Sequence, residues 1–349
     1  MKNDGVIMAS GLQGFRARDN IADSLRGFTI ILMVFAHIAL WFESTGIVLE
    51  RHIAFSKWIY SFHMPLLFVV SGYVHAIKQL NISDCLPQIK KCFIDIYLPC
   101  LWFSFPQWFI MWFIFPSYNP ANFGAATIED LYMIFLTGFK EYWFLAALFF
   151  VKALHIVLEC RIKNTKLISV IFITLFILIS FFQMPVFISR LSYGLYFHIG
   201  YLIKRTGYIN KDNSRRCLYG IILLGAGTLM YLFPYNYNLK HIYTSVRVIS
   251  LCLAWFIIFY SLGISSSFLN AYGIYSMVVY CSHNYAAASL RLLYKVLGLS
   301  EYVSNIFFLY FCFIMAMAIP MLIVWIYKNL RCFRWIEYIF YPGKLLLKK

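Results

Sequence analysis

DSLRGFTIILMVFAHIALWF (residues 23–42) and, after a polar link, WIYSFHMPLLFVVSGY (residues 58–73) decide the fold. Both runs are apolar enough for lipid, yet Arg26, His37 and His63 lie in or against them. Ionisable groups are costly in hydrocarbon, and where a chain keeps them there they mark function. The first expectation is therefore a membrane-embedded active site.

Composition agrees with a chain built for lipid. Of 349 residues, 62% are hydrophobic, 20% aromatic and only 13% charged, with a mean hydropathy of +0.73. That leaves too little polar surface for a soluble globule. The net charge of +16 would point to nucleic acid in a soluble protein, but topology accounts for it here, and no nucleic-acid partner is expected. Nine cysteines are scattered without a CxxC pair, so neither a disulfide framework nor a metal site is read from them. Residues 1–20 lack an apolar run of useful length and read as a cytoplasmic tail rather than a cleaved signal.

Apolar stretches near 27–42, 58–77, 93–115, 141–158, 167–182, 186–203, 217–233, 242–262, 271–290 and 305–327 suit a hydrocarbon core about 30 Å thick. The fold class expected is all-α, a polytopic protein of about ten transmembrane helices. Residues 21–330 form the membrane domain, and 331–349 form a basic, aromatic tail at the inner interface. With the N-terminus inside, 21 Lys and Arg residues fall on the inner side and six, Arg291 among them, in outer loops. That asymmetry places both termini in the cytoplasm.

Counting helical rise, His37 lies about 16 Å above Arg26, His63 about 9 Å below the outer face, and His283 roughly 18 Å above the inner face. The three imidazoles thus share a depth, and neighbouring helices would bring them into one cavity. An intramembrane His also serves simply as an interhelical hydrogen-bonding group, the reading preferred for His155 and His198. Lys152, Arg190 and Arg247 fall inside helices with few acids to pair them. Either an anionic ligand compensates them or they snorkel toward an interface. In KEYWFLAALF, Trp143 suits an interfacial aromatic belt or a cavity wall, and Glu141 a site that binds sugar hydroxyls.

These residues resemble the acyltransferase-3 family of integral-membrane O-acyltransferases. Asp23-Ser-Leu-Arg26-Gly27 followed by an apolar run to His37 is similar to that family's first-helix signature. SFHMPLLFVVSGY (61–73) is similar to its second, in the form of the fucose O-acetylase-like branch. EYWFLAALF (141–149) and NAYGIYSMVVYCSHNY (270–285) are weaker echoes. Many members open the third helix with Arg-x-x-Arg, whereas Cys92 and Asp95 stand here, with Lys90 and Lys91 just upstream as substitutes for donor binding.

The resemblance implies acetyl-CoA as acyl donor, entering from the cytosolic side, with no bound cofactor. It also implies a carbohydrate acceptor, most simply a sugar of a lipid-linked glycan, and a multi-pass location in a bacterial inner membrane. Acyl transfer from a thioester to a hydroxyl needs a base and a group that stabilises the oxyanion. His37, kept neutral by apolar surroundings, is the expected base or acyl carrier, with Arg26, oriented by Asp23, beneath it. His63, Glu141, Trp143, His283, Lys152, Arg190 and Arg247 are the expected acceptor-side residues. A glycolipid transporter or flippase is the rival reading, since it would use the same buried cations on a diphosphate. Such proteins often carry internal repeats, and no convincing repeat relates the two halves.

Overall fold

The computed structural model describes residues 19–44, 49–76, 80–114, 126–207, 214–234, 240–298 and 303–346, and every regular element among them is helical. The first part of the chain forms α1 (Asn20–Ser44), α2 (Glu50–Tyr60), α3 (His63–His75), α4 (Cys85–Cys92), α5 (Leu98–Phe109) and α6 (Ile128–Thr137). The middle forms α7 (Trp143–Arg161), α8 (Thr165–Phe181), α9 (Val186–Arg190), α10 (Gly194–Thr206) and α11 (Ser214–Leu232). The last part forms α12 (Lys240–Ser261), α13 (Ser267–Ile274), α14 (Ser276–Val296), α15 (Asn305–Asn329) and two short helices, α16 (Ile336–Phe340) and α17 (Gly343–Leu346).

Each apolar stretch read from the sequence is largely helical over its described residues. Five runs among the described residues are long and apolar enough to cross a membrane: Asn20–Glu43, Glu50–His75, Ile128–Arg161, Lys240–Ser261 and Asn305–Asn329. The others are shorter or broken, such as Thr165–Phe181. Large apolar side chains such as Val170, Ile177 and Phe181 on α8, Ile222 and Leu229 on α11, and Ile314 and Leu322 on α15 stay exposed. An apolar outer surface of this extent belongs against lipid, and the protein is a multi-pass membrane protein.

Two of the long runs are broken for local reasons. Pro65 stands third in α3 and has no N–H to give to the preceding turn, so α2 ends at Tyr60 and the helix restarts at His63. Between α6 and α7, Gly138 and Lys140 both take positive φ, a conformation glycine adopts freely and lysine does not. Arg291 departs from its expected place in an outer loop. It lies within α14 and is buried, because the helix runs on past residue 290. Residues 1–18 of the tail expected at 1–20, Lys78, the turn at 116–120 and residues 235–238 lie outside the described residues, and α1 already begins at Asn20.

Helices approach closely at two reciprocal glycine contacts. A Cβ on Gly72 would collide with the Phe197 carbonyl oxygen, and one on Gly200 with that of Val69, so α3 and α10 meet backbone to backbone. Likewise Gly27 lies against the Leu269 carbonyl of α13, and Gly273 against that of Asp23. Small residues are what let membrane helices pack this tightly without a hydrophobic driving force. Near the first residues of α1, Asp19 gathers Tyr260 (2.9 Å), Tyr73 (3.2 Å) and Lys204 (3.8 Å). The ends of α3, α10 and α12 are thereby tied to the foot of α1.

Gly200→Val should lower the thermal midpoint of the detergent-purified protein, by about 1–3 kcal/mol in stability, since the backbones must part. Gly225→Ala, where an added Cβ meets nothing within 4 Å, should leave the midpoint unchanged or slightly raise it.

Candidate active site

The three imidazoles expected at one depth do come together. His37 Nδ1 lies 3.1 Å from His283 Nε2, and the His37 ring centroid is 6.2 Å from that of His63. The surroundings fix where the protons sit. His283 Nδ1 faces the carbonyls of Val279 (3.0 Å) and Tyr280 (2.9 Å). Carbonyls only accept, so in the neutral ring Nδ1 carries the proton and Nε2 is bare. His37 Nδ1–H therefore donates to His283 Nε2, which leaves the His37 Nε2 lone pair free.

His63 is set by the break between α2 and α3. Its Nδ1 donates to the Ile59 carbonyl at 3.0 Å, an acceptor in the last turn of α2 that also takes the Phe62 N–H at 3.1 Å. Its buried Nε2 has no hydrogen-bond partner among the described residues. His37 and His63 thus each spend the ring N–H on a fixed acceptor and keep a lone pair at Nε2.

His37 and His63 line a cavity of about 850 Å³. Glu141, Trp143, Arg190 and Arg247 line it too, so most of the expected acceptor-side residues share one space. Arg190 donates to the Thr137 carbonyl at 2.6 Å and stacks on Trp143 at 5.1 Å. Arg247 stacks on Tyr231 at 5.4 Å. Lys240, His241 and Tyr193 also border the cavity. It can thus offer imidazole acceptors, cations and flat aromatic faces to one ligand.

Glu141 sits in the wall between this cavity and a second one of about 240 Å³, which Gln107, Tyr285 and Arg291 also line. Gln107 Nε2 donates to Glu141 Oε2 at 2.7 Å, and the Tyr280 hydroxyl donates to the Glu141 carbonyl. Buried Arg291 stacks on Trp41 at 4.7 Å and is within electrostatic reach of both Glu141 and His37. Tyr60 also lines the large cavity, and sequence reasoning brings neither it nor Arg291 or Gln107 to the site. Only Tyr60, three residues before His63, carries a usable sequence signal.

Other expected residues lie elsewhere. Arg26 pairs with Asp23 at 3.3 Å near the foot of α1, about three helical turns from His37. Lys90 and Lys91 lie at the outside of α4, and Lys152 is turned toward Asp95 and His75 rather than lining the large cavity. His155 and His198 bond each other at 3.2 Å, as interhelical polar groups do. The His37 group is a chain of hydrogen-bond partners rather than a convergent ligand set. Convergence of that kind occurs at His75, His155 and Glu159.

A family model described as an acyltransferase domain matches residues 19–325. No curated protein and no solved structure matches the chain.

Removing the Glu141 side chain orphans the buried Gln107 amide. Glu141→Ala should cost about 1–3 kcal/mol of stability, read as a lower thermal midpoint in detergent. The double variant with Gln107→Leu should recover part of the loss. Additive effects would show that the two side chains are not coupled.

Proposed function

The chain belongs to the acyltransferase-3 family, and we propose that it moves an acetyl group from acetyl-CoA to a hydroxyl of a cell-surface or lipid-linked carbohydrate. The observation that carries this reading is the His37–His283 pair, whose neutral tautomer places the His37 lone pair at Nε2 on a residue that lines the large cavity.

An acceptor hydroxyl in the cavity gives its proton to His37 Nε2 as its oxygen attacks the thioester carbonyl carbon. The C–O bond forms, the C–S bond breaks, and the proton passes from His37 to the departing thiolate. While His37 is protonated, its Nδ1–H remains bonded to His283 Nε2, which holds the ring in place and spreads the positive charge. His283 acts here as an orienting partner, in the way a second group orients the base in other acyl-transfer sites. His63 borders the same cavity, with a buried Nε2 acceptor behind its wall that has no partner among the described residues.

Arg190 and Arg247, with Trp143 and Tyr193, suit a glycan that carries negative charge or a diphosphate link. Cations bind the charge, and aromatic faces cover the apolar face of a sugar ring. Glu141 would hold a hydroxyl at the wall. On the donor side, Arg26 paired with Asp23 and the outward-lying Lys90 and Lys91 suit the phosphates of CoA, in place of the Arg-x-x-Arg pair that Cys92 and Asp95 interrupt. This arrangement takes about ten membrane spans with both termini in the cytoplasm of a bacterial inner membrane, the donor arriving from the cytosol. The fucose O-acetylase-like branch is the one its second-helix motif favours. A glycolipid flippase would use the same cations, but it has no need of a base whose tautomer is fixed.

His37→Ala should reduce acetylation of surface glycan by about 10²–10⁴-fold at an unchanged protein level in the membrane. His283→Ala, which removes the partner and keeps the base, should reduce it less. Mass spectrometry of the glycan checks both, through loss of about 42 mass units per acetyl group. Full acetylation in the His37 variant would remove that residue from the mechanism.

A further inference from the structure

A second group of ionisable side chains stands apart from the large cavity, near the ends of α3 and α7. His155 and Glu159 lie one turn apart on α7, and His75 lies at the end of α3. Their side chains are at least nine-tenths buried, at 0%, 6% and 8% exposure for His155, Glu159 and His75. His75 Nε2 is 3.4 Å and His155 Nδ1 3.9 Å from Glu159 Oε2. All three atoms lie within 4.8 Å of one another, and none has a hydrogen-bond partner among the described residues.

The neighbouring bonds show why these atoms are left over. The Ser169 hydroxyl donates to the Thr165 carbonyl at 3.0 Å, so its oxygen accepts from His198 Nε2–H at 2.8 Å. His198 Nδ1 is then bare and accepts His155 Nε2–H at 3.2 Å. That leaves a lone pair on His155 Nδ1 facing a carboxylate oxygen. The opposite tautomer would point an N–H at Glu159 from 3.9 Å, beyond a hydrogen bond. Meanwhile Glu159 Oε1 is held by the Arg205 guanidinium (2.8 Å) and the Tyr201 hydroxyl (3.1 Å), which aims Oε2 inward. Two buried acceptors facing each other repel unless something positive lies between them.

We propose that His75, His155 and Glu159 bind a divalent metal ion of the zinc class, which clamps α3 to α7. Two imidazole nitrogens and one carboxylate oxygen are a borderline donor set suited to Zn²⁺. Tetrahedral neighbours lie roughly 3.3 Å apart, close to the 3.4 Å between His75 Nε2 and Glu159 Oε2, and the other separations, within 4.8 Å, contract when the ion binds. The Ser169–His198–His155 chain and the Arg205–Tyr201 grip on Glu159 are the outer bonds that fix ligand tautomer and direction. A cavity of about 90 Å³ bordered by Glu159, Tyr201, Arg205 and Lys163 lies on the other side of the carboxylate. Arg205 and Lys152, which is in electrostatic reach of His75, oppose a cation, so the expected affinity is micromolar rather than the far tighter binding of structural zinc peptides.

The test uses the full chain in detergent, stripped with chelator and titrated with Co²⁺ and then Zn²⁺. Wild type should take up one ion per chain with a Kd on the order of 1 µM, show visible Co²⁺ absorption, and unfold at a higher temperature with metal. His155→Ala should lose the absorption and the thermal response. Because that variant leaves His198 Nδ1 without its donor, His75→Gln, on the other helix, is the second variant and should lose both as well. Wild type that takes up neither ion up to about 100 µM would overturn the proposal and leave the cluster a proton-sharing group only. Metal uptake by both variants equal to that of wild type would overturn it as well.

Discussion

The close backbone contact of Gly27 with α13 and of Gly273 with α1 is the constraint on which the site depends. Helix α1 carries His37, and the chain passes from α13 directly into α14, which carries His283. Only with the feet of α1 and α13 pressed together do the two rings, 246 residues apart, reach 3.1 Å. The second glycine contact, between α3 and α10, does the same for His63 and for the wall that bears Arg190 and Tyr193. An added methyl at any of these four glycines meets backbone, which has no side-chain rotamer with which to yield.

Proton placement rests on backbone acceptors. The carbonyls that fix His283 lie within its own helix, and the carbonyl that fixes His63 belongs to the last turn of α2, where it also accepts the Phe62 N–H. Both devices use groups a membrane helix must satisfy in any case, and they cost no further buried charge. The result is a pair of rings, His37 and His63, that border the cavity and keep their lone pairs at Nε2. Among the cations that border the cavity, Arg190 and Arg247 stack on Trp143 and Tyr231, which offsets part of their desolvation.

The all-helical class is legible in the sequence, because a long apolar run in lipid must satisfy its backbone internally and a helix does so within one segment. Helical rise alone places His37, His63 and His283 at a common depth, and the packing of α1 against α14 turns that common depth into the contact of His37 with His283. Pairing is not legible. Arg291 reads as a loop residue because apolar character fades at residue 290 while the helix continues. Gln107 gives no signal, since a lone amide in the aromatic run LWFSFPQWF has no periodic partner. Lys152 reads as a ligand for anions because depth does not reveal the direction in which a side chain turns. The His75–His155–Glu159 cluster is hidden by the long stretch of chain between its halves, and by the bonding role that His155 fills with His198.

The central claim is that acyl transfer takes place at His37. Single-turnover release of free CoA thiol from acetyl-CoA tests it most directly, with purified protein in lipid nanodiscs supplied with membrane glycolipid extract as acceptor. Wild type should release CoA in step with label entering the glycolipid. His37→Ala should release almost none while keeping its helical content and thermal midpoint. CoA release at the wild-type rate by a folded His37→Ala protein would contradict the account.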